Sequence, residues 1–103
     1  MDNEVLLTLS VRPAQADALS DWLLQQDLPG FTSWQAWGHG NRHHGLSLAE
    51  QIQGKQKRTL IALHLPQSQA QRLLAMLKQT FCQYDLHYWL QPLLAFGHLG
   101  NAD

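Results

Sequence analysis

The chain has 103 residues, 45% of them hydrophobic, with seven Lys+Arg against eight Asp+Glu and a single cysteine. That length supports one core, and the apolar content excludes a disordered chain. The near-neutral balance excludes the broad basic surface of a non-specific nucleic-acid binder, so nucleic acid is not an expected partner.

The lone Cys82 excludes an internal disulfide framework. The opening MDNEVLLTLS is acidic and its apolar run is interrupted, unlike a secretory leader. No apolar run approaches the roughly 18 residues of a membrane span. A cytoplasmic protein without an integral membrane segment is the expectation.

Residues 4–12, EVLLTLSVR, read as a strand. Pro13 then suits a first helical position, and Ala18, Leu19, Trp22 and Leu23 recur at helical spacing until LPG at 28–30 stops the helix. Residues 31–37, FTSWQAW, form a second strand with large aromatics on both faces. Residues 38–57 are polar, with glycines at 38, 40, 45 and 54. They read as a long projecting loop, with a short helical turn capped by Ser47 and Glu50.

RTLIALHL at 58–65 is the clearest strand: Thr59, Ile61, Leu63 and Leu65 share one face, Leu60, Ala62 and His64 the other. The next segment is the clearest helix, with Ala70, Leu73, Leu74, Leu77 and Phe81 on one side and a capping box expected from Ser68 and Gln71. YDLHYWLQPL closes as an aromatic strand that Pro92 ends or places at an edge.

Strand, helix, strand, loop, strand, helix, strand is the split βαβ order. The expected fold is α+β: a ferredoxin-like sandwich of one four-stranded antiparallel sheet with two helices on one face, a single domain over 1–103. The uncovered face, including Leu60 and Ala62, implies self-association unless the tail folds back over it.

Several residues are candidates for chemistry. His39, His43 and His44 are the metal candidates, since imidazole suits copper, nickel, zinc and cobalt. Adjacent histidines rarely ligate one ion, and no Cys or carboxylate lies close to supply a fourth ligand. Arg42, Lys55, Lys57 and Arg58 face only Glu50 within 42–58, which makes the loop a candidate docking element for an acidic protein surface. Trp37, beside Gly38, is the aromatic best placed for a subunit cleft. No carboxylate pair or nucleophile elbow is evident, so no enzymatic activity is expected.

WGHGNRHHG at 37–45, the loop to Arg58 and the strand RTLIALHLP together resemble the PII-like superfamily, the nitrogen regulatory P-II-like proteins. FTSWQAWGHGNRHHGLSLAEQIQGKQKR with LHYWLQP is similar to a small uncharacterised PII-like family often encoded near heavy-metal efflux pumps. The resemblance implies a homotrimeric signalling or regulatory protein with sheets turned toward the centre and loops outward. It also implies a cleft at Trp37, Gly38, Gly40 and Arg42. Nucleotide-binding relatives add a glycine- and lysine-containing loop after the second helix and C-terminal arginines. Here KQTFCQYDLHYW has no glycine, and no Lys or Arg follows Lys78, so ATP binding of that type is not expected. The leading expectation is a non-enzymatic regulatory or adaptor protein that contacts a partner through its basic loop. The alternative is a metal-binding or metal-responsive protein linked to heavy-metal homeostasis.

Overall fold

The computed structural model describes residues 2–39 and 55–100. Its elements are β1 (Glu4–Val11), α1 (Pro13–Leu24), β2 (Thr32–His39), β3 (Lys55–Pro66), α2 (Gln67–Thr80) and β4 (His87–Pro92). The sheet order is β2-β3-β1-β4 with every neighbouring pair antiparallel. This is the expected α+β ferredoxin-like arrangement.

Strand alternation divides the sheet into two faces. Val5, Leu7, Leu9 and Val11 of β1 join Ile61, Leu63 and Leu65 of β3 under the helices. Each helix contributes one buried stripe at helical spacing: Ala16, Leu19 and Leu23 from α1, and Ala70, Leu73 and Leu77 from α2. Ala18, expected on the inner side of α1, is exposed, and Ala16 takes its place. Trp22 lies partly buried at the rim, its ring edge-on to Phe81 at 5.6 Å.

Pro13 opens α1 at its first turn, where no N–H partner is needed. Gly30, at φ 127, makes the turn into β2 in a region that L-residues rarely adopt. The capping box of α2 does not form. Pro66 is the N-cap, so Ser68 falls inside the first turn rather than before it. The cap comes instead from the start of the chain: Asp2 accepts the Ser68 N–H at 3.1 Å as well as its hydroxyl, and the Asn3 carbonyl accepts the Gln67 N–H at 2.8 Å.

The strands extend further than their hydrophobic alternation indicates. Gly38 and His39 continue β2, and Lys55, Gln56, Lys57 and Arg58 begin β3, paired in register with 36–39. The stretch expected as a loop from about 38 to 57 is therefore strand at both ends. Its interior, with the Ser47 and Glu50 turn, lies outside the described residues.

Candidate functional site

The site lies at the end of the sheet where β2 runs out and β3 begins. On the helix side, Trp37 pairs with Lys57 and His39 with Lys55. The Lys55 ammonium sits 4.3 Å from the centre of the Trp37 ring, and Lys57 reaches the same ring at 5.8 Å. Both distances are within cation–π range. Trp37 remains 45% exposed, so the strand ends present an aromatic plate flanked by two lysines.

Arg58 does something else. Expected to open the strand at 58–65 and to serve docking with the loop cations, it is a β3 residue on the open face, only 5% exposed. Its Nε donates to Ser10 Oγ at 2.9 Å, and one terminal nitrogen donates to Gln56 Oε1 and Asp85 Oδ2. The other donates to the carbonyls of Ser10 and Asp85, at 2.6 and 2.8 Å. The five N–H donors of a guanidinium are thus all used within the chain. Arg58 is a clamp joining β1, β3 and the connection between α2 and β4, and its charge is turned inward rather than offered to a partner.

Asp85 is the acidic centre of that clamp. Arg12 Nε lies 3.6 Å from its carboxylate and His87 Nε2 lies 3.1 Å from it. Burial works to raise the Asp85 pKa, but the Arg58 charge, followed by that of His87, outweighs it and holds the carboxyl below its ordinary value. Burial pulls the Arg58 pKa down, opposed by Asp85.

Gly38 serves this clamp. Its φ is not in the left-handed region; what it supplies is space. A Cβ there would come within 3.3 Å of the Arg58 Cγ. The first glycine of the Gly-x-Gly pair is therefore a close-approach residue for an arginine stem.

Of the cleft candidates, Trp37 and Gly38 lie at this end of the sheet, but on opposite faces. Gly40 and Arg42 lie outside the described residues, as do His43 and His44. His39 is exposed at the last position of β2. Among the described residues no three His, Cys, Asp or Glu side chains come together as a metal-binding group. Elsewhere, His64 pairs with Glu4 at 2.7 Å and lies against the Phe96 ring at 5.2 Å, while Cys82 is exposed. No described helix is long and apolar enough to cross a membrane.

The role of Asp85 was missed by the sequence reading. The signal available was that Asp85 is the lone acidic residue between Glu50 and Asp103, while Arg58 continues the alternation of Leu60 and Ala62.

The antiparallel β2-β3-β1-β4 sheet with two helices on one face is a ferredoxin-like fold that the chain shares with solved PII-like proteins. More particularly, the chain belongs to the DUF3240 family, described as proteins of unknown function, whose sequence model matches residues 1–100. A crystal structure of a DUF3240 family protein from Shewanella baltica OS155 is similar at 23% identity and TM-score 0.78, over 97% of this chain and 100% of that one. CPII, a nitrogen regulatory PII-like protein from Thiomonas intermedia K12 solved with ADP, AMP and bicarbonate, is similar at 15% identity and TM-score 0.69, over 93% and 96%. GlnK of B. subtilis is similar at 15% identity and TM-score 0.63, over 89% and 86%. No curated protein matches the chain.

Proposed function

We propose that this chain is a non-enzymatic, cytoplasmic PII-like regulatory or adaptor protein that works as a homo-oligomer, expected to be a trimer. It contacts an acidic protein surface through the segment between β2 and β3. The observation that carries this reading is the braced mouth of that segment. Arg58 ties its base to β1 and to Asp85, while Lys55 and Lys57 flank a half-exposed Trp37 beside it. A rigid base with a basic, aromatic rim suits recognition of an acidic protein. The partner-binding set is accordingly Arg42, Lys55 and Lys57, with Arg58 moved to a bracing role.

Similar structures with bound nucleotide, CPII with ADP and AMP and GlnK with ATP, make adenine nucleotides the natural competitors. The connection 81–86 is FCQYDL, without the glycine and lysine that would replace a phosphate's water shell. The second reading is a transition-metal site. It rests on exposed His39 standing at the end of β2, directly before the segment that carries His43 and His44.

The test is recovery of a partner from native lysate by wild type, by a variant lacking residues 46–54, and by Lys55→Glu/Lys57→Glu. Loss of the same partner with both variants supports the reading. Equal recovery by all three overturns it. Saturable ATP binding, or stoichiometric copper, nickel, zinc or cobalt binding lost with His39, His43 and His44 changed to Ala, would redirect it to the nucleotide or the metal.

A further inference from the structure

The chain continues to pack after β4. Past Pro92 the Leu93 N–H donates to the Glu4 carbonyl at 3.2 Å, and residues 93–100, LLAFGHLG, leave the sheet without regular structure. This segment carries three exposed large apolar side chains, Leu94, Phe96 and Leu99. Leu94 and Leu99 stand fully in solvent. Phe96 instead turns back and rests on a side chain of the sheet: its ring centre lies 5.2 Å from that of His64, tilted by 43°.

His64 belongs to β3, on the far side of β1 from β4. Leu6 pairs with His64 on one side and with Gln91 on the other. The segment therefore crosses the first residues of β1, on the open face, to reach the imidazole. The tail does fold back over that face, at its Glu4 end.

Glu4 prepares the imidazole for this contact. Its Oε2 lies 2.7 Å from His64 Nδ1. A carboxylate only accepts, so Nδ1 carries a proton in both charge states and Nε2 is the atom that gains or loses the second. The ring is thus held in one orientation while its charge changes. Neutral, it offers Phe96 an ordinary aromatic contact. Charged, it is a cation within reach of a phenyl ring, which at an exposed site is worth roughly a two- to five-fold shift in population. Its bond to Glu4 then becomes charge-assisted on both sides. The Glu4 side chain is 15% exposed, whereas that of His64 is 46% exposed and open to exchange with water. Among the groups around His64, Glu4 is the charged one. Leu6 is its cross-strand pair, Ala62 and Pro66 flank it on β3, and Gln91 stands beyond Leu6 on β4. His98 is the other titratable side chain of the segment.

We propose that His64 is a proton-operated clasp for the C-terminal segment: protonated, it holds Phe96 against β3, and neutral, it lets the segment go. Docking favours the charged ring, so a lower pH tightens the clasp and the docked segment in turn retains the proton. The hold is strongest where the ring is charged whether docked or free. It weakens as pH rises through the range in which histidine gives up its proton, between about 5 and 8. Release sends Phe96 out to join Leu94 and Leu99 as one apolar arm and bares the Glu4 end of the open face. Neither the β2–β3 segment nor a partner protein enters this inference, so it stands or falls apart from the functional reading above.

Fluorine NMR tests it. The chain has three phenylalanines, so protein grown on 4-fluorophenylalanine gives three signals, and Phe96→Leu identifies the one from the segment. From about pH 5 to 8 the Phe96 signal should move toward that of a free ring, with the docked-to-free ratio falling about two- to five-fold. Its midpoint should match that of the His64 imidazole proton signal. His64→Gln should leave the Phe96 signal flat and near its free position, while His98→Gln should keep the wild-type curve. Glu4→Gln should move the midpoint to lower pH, because the ring loses its counter-charge. Unchanged Phe31 and Phe81 signals report that each variant is folded, and the comparison of midpoints in wild type needs no variant. A Phe96 signal that stays still in wild type overturns the clasp, as does one whose midpoint differs from that of His64. A response that persists in His64→Gln, or that His98→Gln abolishes, overturns it as well.

Discussion

The two faces of the sheet achieve burial by different physics. Leu7 and Thr8 are neighbours in β1, both nearly inaccessible, at 0% and 3% exposure. Leu7 points under the helices among aliphatic side chains, where stabilisation follows the apolar area withdrawn from water. Thr8 points to the open face, where Ala62 and Trp89 are its cross-strand neighbours. On that face Arg58 and Ser10 are buried polar groups, fully engaged with one another, while Trp34 and Trp89 stay half in solvent. The covered face is a finished core. Among the described residues the open face is polar and closed at one end and aromatic and half-exposed along its flanks.

The largest effect should come from breaking the covered face. Leu7 lies opposite Leu63 on one side and Leu90 on the other, so Leu7→Ala empties the middle of the core. The expected cost is about 3 kcal/mol, from lost transfer energy plus a residual cavity. Urea unfolding at fixed protein concentration should show a lower midpoint with an unchanged slope. A cost below that of a surface substitution would mean that the helices close over the gap and the core is softer than its burial indicates.

Breaking the clamp on the open face should come next. Arg58→Ala strands the Ser10 carbonyl and removes the main counter-charge of Asp85. Loss of one partner from a buried ion pair is strongly destabilising, but Asp85 is about a third exposed and water takes up part of the loss. We expect about 2 kcal/mol, less than for Leu7→Ala. Arg58→Lys should recover only a minor part, since an ammonium has three donors for a site that uses five. Full rescue by lysine would show that charge rather than the fork is what the site requires.

The covered face was legible because it follows period. Thr59, Ile61, Leu63 and Leu65 alternate, and Ala70, Leu73 and Leu77 recur at helical spacing, so elements, faces and sheet order could be built from local pattern alone. Arg58 was not legible for the converse reason. KQKR after a glycine-rich stretch reads as a wet basic run, and nothing local distinguishes the fourth cation from Lys55 and Lys57. Its fate is set by Ser10, 48 residues away, and Asp85, 27 residues away. The α2 cap failed in the same way: Ser68 with Gln71 is a sound local signal, overridden when Pro66 became the N-cap and Asp2 reached it from 66 residues away. Local rules recover a face that buries carbon, while a face that buries charge depends on partners brought together by the fold.

Gly38 gives the smallest effect and the sharpest comparison, because it asks whether the clamp extends to the mouth of the β2–β3 segment. A valine there favours the strand by intrinsic preference, yet its Cβ would lie 3.3 Å from the Arg58 Cγ and 3.8 Å from the Gln56 carbonyl oxygen. Overpacking against a side chain held by five hydrogen bonds cannot relax cheaply, so Gly38→Val should cost about 1 kcal/mol net. In an Arg58→Ala background the obstructing stem is gone and the strand preference is left, so the same substitution should become neutral or stabilising. The difference between the two backgrounds, about 1 kcal/mol or more in a double-mutant cycle of urea unfolding, measures the coupling between the Gly-x-Gly and the clamp. Equal costs in both backgrounds would separate them and leave Gly38 as an ordinary edge glycine. A positive coupling makes the first glycine part of the machinery that braces the segment's base, and so a position where change would reach the rim of Trp37, Lys55 and Lys57 through Arg58.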